Sequence, residues 1–404
     1  MKKLVTGSIN KLNTEIKELA DSDSNPVENI YSYCHHPDYL SLAYERSYEN
    51  NGCPGVDGVS FDKVNKNSLI KEIKTELETE NYQPSPLKET ILDNGYKKRS
   101  IFIPTIKDRV VQNAVAQVLH PIFERVFFDC SYGYRPERNY NLAVEDAIEQ
   151  INDGKHSATK IDIVKCFDNL DRTLLLKNFK KEVADKGIMD LIIKFLEMPF
   201  KSTSGSIKYF PKGVPQGGPI APLLSNIALN SFDEGWYASD FYNKFGGKYI
   251  RYADDILILT KYREREILTT ASSIAKDLNL EIHPEGEKTC QINLRQGLPL
   301  YFLGYDIKIT RIKPLKVCIQ PQRNKVDAYK EKLSKIWEEI RSDYLTPEDI
   351  GLLKSTYINF ENNYLNSNNQ EPFREVQGHL KSLVSHHHQK TKILNTVFKD
   401  AKMM

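Results

Sequence analysis

Apolar positions along this chain fall into two rhythms. Helical spacing marks one apolar face per helix. It appears from Leu69 (LIKEIKTELETENY), where Leu69, Ile70, Ile73 and Leu77 share a face. It appears again from Arg109 (RVVQNAVAQVLHPIFERVF), with a break expected at Pro121. Further helical stretches begin at Leu174, Ala221, Arg263 and Asp327, and residues 8–50 read as helix interrupted by the polar DSDSNP of Asp21 to Pro26. Alternating or short continuous apolar runs mark strands. LKETILDNGYKKRSIFIP reads as two strands around a turn at Asp93-Asn94-Gly95, and ATKIDIVKCF from Ala158 as a β-type run. KYIRY and ILILT are two short strands joined through Asp254 and Asp255, and short strands followed by helices come after Leu300. NGCPGVDGVS from Asn51 is a Gly/Pro-rich loop. Strand, helix, hairpin, helix, strand predicts an α+β fold with a mostly antiparallel sheet.

Composition narrows this picture. A chain of 404 residues with 40% hydrophobic positions buries a sizeable core and suggests two or three subdomains. Its net charge is only +2, so any contact with nucleic acid must come from local basic patches. The six cysteines (Cys34, Cys53, Cys130, Cys166, Cys290 and Cys318) form no CxxC pair, which argues against a cysteine zinc site and a disulfide framework. No apolar leader opens the chain and no run reaches the length of a membrane span, so a soluble, cytoplasmic protein is expected, without a membrane partner. His386, His387 and His388 are consecutive, point in different directions on a helix, and make a poor metal site.

The chemistry lies in RYADDILILT. Alternation turns Tyr252 and Asp254 to one side and puts Asp255 at the turn. Two carboxylates there repel each other and lose hydration, and a divalent cation relieves both costs because Mg²⁺ prefers oxygen ligands. A third carboxylate would complete such a site. Asp162 sits in the middle of a β-type run, between Ile161 and Ile163, where a charge is costly unless paired or bound to metal. Two metals about 4 Å apart activate an attacking hydroxyl and stabilise a leaving pyrophosphate. A DD pair in a turn is by itself an ordinary solvated turn; its coincidence with Asp162 is what matters.

With these residues in view, the chain resembles reverse transcriptases of the bacterial group II intron type. The resemblance is carried by YADD (Tyr252 to Asp255), KIDIVKCFDNLD from Lys160 and GVPQGGPIAPLLSNIALNSFD from Gly213. Upstream it continues in GCPGVDGVSFD, KKRSIFIPTIKDRVVQNAV and FFDCSYGYRPERN; downstream in LEIHPEGEKT and YFLGYDI. The motifs run in family order from about residue 50 to 310. The resemblance implies a right-hand polymerase fold, with an N-terminal extension and fingers over 1–155, a palm over 156–310 carrying a helical insertion near 172–206, and a helical thumb with basic tail over 311–404. It implies catalytic Asp162, Asp254 and Asp255, with the Ile163 carbonyl as a further metal ligand and two Mg²⁺, or Mn²⁺ in their place. Lys288 matches a lysine that protonates pyrophosphate. Phe167 matches the ring that disfavours a ribose 2′-hydroxyl. Gln216 and Gly217 match the nucleotide pocket. Lys97, Lys98 and Arg99 would grip the triphosphate, while Tyr132, Arg135, Arg138 and Tyr252 would meet template or primer. Without the family, a KKR run reads as a solvated turn and SYGYRPERN as a salt-bridged loop.

Departures sharpen the expectation. Asp93 stands near where the family usually carries lysine, which shifts triphosphate binding toward Lys97 and Lys98. The tail carries Lys381, Lys390, Lys392, Lys399 and Lys402 against Asp400, and neither a long basic DNA-binding region nor a cysteine-bearing nuclease follows YFLGY. The first reading is therefore an RNA-directed DNA polymerase that uses dNTPs to copy a dedicated noncoding RNA into DNA in antiphage defence, with a partner protein or a second copy. The alternatives are a reduced intron maturase acting in splicing or retrohoming, and template-independent or protein-primed synthesis on the same palm.

Overall fold

A computed structural model describes residues 2–21, 26–50, 52–93, 98–262, 265–310, 315–340, 345–385, 387 and 389–399. In chain order the elements are α1 (Lys2–Asp21), α2 (Tyr31–Cys34), α3 (Pro37–Glu49), α4 (Lys66–Glu78), β1 (Leu87–Asp93), β2 (Lys98–Ile103), α5 (Ile106–Glu124), α6 (Tyr140–Asn152) and β3 (Ser157–Asp162). There follow α7 (Cys166–Asn169), α8 (Arg172–Glu182), α9 (Lys186–Glu197), β4 (Phe200–Lys201), β5 (Ile207–Lys208), α10 (Ala221–Ala238), α11 (Asp240–Phe245), β6 (Lys248–Tyr252), β7 (Asp255–Thr260) and α12 (Glu266–Asp277). The last part holds β8 (Cys290–Asn293), β9 (Leu300–Phe302), β10 (Tyr305–Ile309), β11 (Val317–Pro321), α13 (Arg323–Ile340), α14 (Pro347–Asn363), α15 (Glu371–Leu383) and α16 (Lys390–Phe398). They divide into two compact units: Met1–Arg138, Asp162–Lys244 and Glu266–His283 make the first; Asn139–Ile161, Phe245–Arg265 and Pro284–Met404 make the second.

In the first unit α5 is the spine. Val110, Val111, Ala114, Val115, Val118, Leu119 and Ile122 are fully buried, and α1 and α3 pack against it. Thr105 caps its N-terminus. The buried Asp108 accepts from Tyr82 Oη at 2.7 Å and Thr105 Oγ1 at 2.6 Å, and burial still raises its carboxyl above the usual range. The break expected at Pro121 is absent: the helix runs to Glu124. Proline there falls in the last turn, where it removes one ladder bond, while Ile122 and Phe123 keep the buried face. The single helix expected from Leu174 is two, α8 and α9, each capped by an aspartate (Asp171, Asp185). Between them the chain extends, and the Ala184 N–H donates to the Val27 carbonyl at 2.9 Å. The sheet of this unit has the order β2-β1-β4-β5; β1 and β2 are antiparallel, β1 and β4 parallel.

The second unit holds two sheets, ordered β6-β7-β3-β8 and β11-β10-β9. The pairs β6–β7, β3–β8, β9–β10 and β10–β11 are antiparallel. In β7, Ile256, Leu257, Ile258 and Leu259 are all fully buried, which explains their unbroken apolar run. Helices α13 and α15 pack together, as do α14 and α16, around Tyr329, Phe360, Tyr364 and Phe373. The His387 ring meets Trp337 edge-on, while His386, His388, Asp400 and Lys402 lie outside the described residues. None of the six cysteines forms a disulfide. Among the described residues no helix is long and apolar enough to cross a membrane.

Candidate active site

Two placements differ from the sequence reading. The ladder of β6 and β7 runs from Lys248↔Leu259 to Tyr252↔Asp255, so Asp255 is the first residue of β7, not the turn. The turn is Ala253 and Asp254. Ala253 takes a left-handed φ of 56°, which costs an alanine about 1 kcal/mol or more. The fully buried Arg251 braces it, donating from Nη1 to the Ala253 carbonyl at 3.1 Å. Asp255 Oδ1 stands 3.1 Å from Lys160 Nζ on β3. Tyr252 is half-buried, its ring edge-on to Tyr140 and its hydroxyl pushed up by burial.

Asp162 ends β3 instead of lying within a longer strand. Beyond it Ile163 makes an isolated antiparallel bridge with Ile282. That bridge uses the Asp162 carbonyl, which accepts from His283 N at 2.9 Å, and the Val164 N–H, which donates to Glu281 O at 2.8 Å. An antiparallel pair bonded through its flanking groups turns its own carbonyls outward, so the Ile163 carbonyl points away from Ile282. The Asp162 carboxylate stands 3.3 Å from His283 Nε2. Lys165 then takes a left-handed φ of 43° and starts α7.

The first unit also gathers the nucleotide-pocket candidates. Val214 N donates to the Phe167 carbonyl at 2.8 Å, and Gln216 Nε2 reaches Asp168 Oδ1 at 3.3 Å. Phe102 N on β2 donates to the Gln216 carbonyl at 2.8 Å. Gly213 and Gly217 make these approaches possible. Their φ values are +78° and +126°, and an added Cβ would stand 2.5 Å from the Phe167 carbonyl and 2.6 Å from the Phe102 carbonyl, respectively. Ile101 faces Gly217, and strand alternation puts Arg99 on the same side of β2 as Ile101. Lys98 and Arg99 are exposed, with Lys98 opposite Asp93 in register; Lys97 lies outside the described residues.

The two arginines of SYGYRPERN part company. Arg135 is 6% exposed and all three guanidinium nitrogens are engaged: Nε and Nη2 on Glu124, Nη1 on the Phe128 and Ser131 carbonyls. It is a scaffold of its loop and has nothing left for a template phosphate. Arg138 lies over the Tyr132 ring at 5.4 Å and pairs with the exposed Asp129 at 2.7 Å, an arrangement a phosphate can displace. In the second unit Lys288 is exposed in the turn closed by Gly286 N and the Thr289 carbonyl.

Residues 91–307 match the family described as "Reverse transcriptase (RNA-dependent DNA polymerase)". The chain belongs to the reverse transcriptase family. With the family comes the right-hand polymerase fold, in agreement with the mixed helices and antiparallel sheets seen here. Among curated proteins it is similar to the group II intron-encoded protein LtrA of Lactococcus lactis subsp. cremoris, 27% identical over 379 residues. That alignment takes in 77% of this chain and 62% of LtrA. Protein YkfC of Escherichia coli (strain K12) is 29% identical over 285 residues, 61% of this chain and 74% of YkfC. A putative COX1/OXI3 intron 1 protein of Saccharomyces cerevisiae is 26% identical, over 75% of this chain and 42% of that protein. The chain thus spans less than two thirds of the length of LtrA.

Reverse transcriptases generally use divalent metal ions. Among the described residues no group of three or more His, Cys, Asp or Glu side chains is arranged to hold one. The donor chemistry nonetheless fits: carboxylates, and in Ile163 a main-chain carbonyl turned out of its ladder, are the hard oxygens such a cation prefers. Sequence reasoning missed Lys160, His283 and Arg251. Lys160 had a signal, because it lies two residues before Asp162 and so shares its strand face. His283 and Arg251 had none, since only folding brings them to Asp162 and to the turn.

Proposed function

We propose that this chain is an RNA-directed DNA polymerase in which Asp162, Asp254 and Asp255, with the Ile163 carbonyl, hold two Mg²⁺ ions. The observation that carries the reading is the hairpin. A fully registered ladder and a buried arginine hold one aspartate in a strained two-residue turn and the next at the first strand position. Strain that the surroundings fix in place is a mark of functional turns. Such ions would screen the triphosphate charge and make the attacking 3′-hydroxyl easier to deprotonate. The chain's own groups do the rest. Asp162 and Asp255 exchange their present contacts, His283 and Lys160, for the cations. Phe167, held from behind through its carbonyl, presents a ring where a ribose 2′-hydroxyl would lie. Gln216 and Gly217 form a pocket wall, and Arg99 with Lys98 meets the triphosphate through its planar fork of donors. Arg138, freed from Asp129, and Tyr132 meet the template. Lys288 supplies a proton to pyrophosphate. Fingers, palm and thumb follow the boundaries at residues 155 and 310.

Primer extension on an RNA template tests this. The protein should incorporate dNTPs with Mg²⁺ and stop with EDTA, while Asp254→Ala and Asp255→Ala should abolish incorporation with an unchanged thermal melt. Extension by either variant would refute the assignment. For the cellular role, the relatives named for introns favour an intron-linked maturase or retrohoming enzyme. Copying a dedicated noncoding RNA in antiphage defence, with a partner protein or a second copy, is the reading favoured by the small net charge, since gripping a large intron RNA relies on neutralised phosphates. Sequencing the RNA that copurifies with the protein separates them: flanking intron domains support the first, a discrete structured noncoding RNA the second.

A further inference from the structure

The second unit has a cleft of about 500 Å³ on the outer face of the three-stranded sheet, walled by β9, β10 and β11, the start of α13 and the start of α15. Strand alternation creates its chemistry. Tyr305, Ile307 and Ile309 turn inward and are buried, so Asp306 turns to the other face, directly opposite Tyr301 on one side and Gln320 on the other. Asp306 is 7% exposed. Its Oδ2 accepts from Lys308 Nζ at 2.8 Å and, at a long 3.4 Å, from Gln320 Nε2. Among the described residues no donor reaches its Oδ1, although that oxygen is buried. A buried carboxylate oxygen without a donor is expensive, and Asp306 is one of the residues that line the cleft.

The rest of the wall says what kind of donor suits it. Gln320, Gln322, Asn324 and Asn369 contribute amides; Asn369 Nδ2 donates to Gln320 Oε1 at 2.5 Å and Gln322 Nε2 to the Tyr305 carbonyl at 3.2 Å, and each of these NH₂ groups keeps a second N–H. Tyr301 is 52% exposed and offers a ring face. Arg323 is the cation in the wall, and its fork is held by Glu375 at 2.6 and 2.8 Å. Glu371 and Glu375 also line the cleft, so a phosphate would meet carboxylates with no uncommitted partner. Lys308 and Lys330 pair with Asp306 and Glu375, so a bare cation gains little either. The volume suits a nucleoside, not a lone ammonium or guanidinium.

We propose that this cleft binds a nucleobase, guanine in preference, stacked on Tyr301 with its N1–H and N2–H edge on Asp306 Oδ1 and its O6 and N7 on wall amides. Gln320 gives up its 3.4 Å contact with Asp306 and its bond from Asn369 Nδ2 and turns aside to admit the base. The ring is read without its phosphate, so the natural ligand is an unstacked guanine in single-stranded nucleic acid. The inference does not depend on polymerase activity.

Titration of the full chain with guanosine, adenosine and uridine, read by calorimetry or ligand-observed NMR, tests it. Guanosine should bind about tenfold tighter than uridine. Asp306→Asn is the decisive variant. Lys308 and Gln320 both donate to Oδ2, so the amide oxygen takes the Oδ2 position and the NH₂ takes the Oδ1 position. An acceptor thereby becomes a donor, and guanosine binding should fall about tenfold or more. Tyr301→Ala, at an exposed position that folding tolerates, should weaken guanosine binding about fivefold or more. Absence of guanosine binding to the wild type would mean that water satisfies Oδ1 and would overturn the proposal, as would equal binding of uridine or an unchanged affinity in both variants.

Discussion

The turn at Ala253-Asp254 and the loop from Tyr132 to Arg138 look alike as strings: short, charged, flanked by aromatics. In the structure they do opposite things with charge. The loop turns Arg135 inward, against Glu124, two carbonyls and the Phe127 ring. The hairpin turns its guanidinium inward too, at Arg251, but there the buried cation steadies the backbone of the turn, while Asp254 and Asp255 remain partly exposed. A charged residue in a motif is therefore a candidate for chemistry only after its partners are counted, because a side chain spent on its own loop has no donors left for a ligand.

The comparison breaks most sharply by substitution at the turn. Asp254→Ala should cut dNTP incorporation about a thousandfold or more, several kcal/mol in the transition state, with little change in stability. Arg135→Ala should do the reverse, costing about 3 kcal/mol in urea unfolding because Glu124 loses its buried partner. If Arg135→Ala leaves stability intact and weakens template binding instead, the scaffold role is wrong.

A pH series sharpens the same contrast between buried and exposed groups in the first unit. Burial first, then Arg46, lowers His120 to about 4. Its folded value thus lies below the ordinary histidine value near 6.5. The stability it supports is complete above that value and is lost as pH falls toward 4. Unfolding free energy should drop by about 2 kcal/mol between pH 7 and 5 on its account, and His120→Gln should flatten that slope. The smallest effects belong to exposed pairs. Arg138→Ala should cost less than about 1 kcal/mol in unfolding yet weaken RNA binding at low salt. Lys160→Met should lower the Mg²⁺ needed for half-maximal extension by about two- to fivefold, by removing the cation that occupies Asp255.

Much of this was legible in the chain. The short apolar runs at Lys248 to Tyr252 and Ile256 to Thr260 are strands, and the helical faces at Leu69 and Ala221 are helices, because burial on one face imposes the helical period while a strand buried on both faces reads as an unbroken apolar run. Less legible was α6, whose residues 140–152 drew no assignment, and the division of 174–197, where two aspartate caps override a continuous apolar pattern. The register of the Asp pair was misread by one residue, since a two-residue and a three-residue turn differ only in whether an alanine accepts a left-handed backbone.

By itself the sequence determined which residue types stand where: three aspartates and a Pro-Gln-Gly loop in polymerase order, with flanks apolar enough to become buried strand. It also determined the absence of a strong net charge. Only the tertiary structure decided which cations answer which carboxylates, that Arg135 is consumed and Arg251 is a brace, and that Asp306 keeps one oxygen without a donor among the described residues. The physical reason is range. Periodicity and turn preference act between neighbours, whereas ion pairing and desolvation act between residues that meet only after the chain has closed.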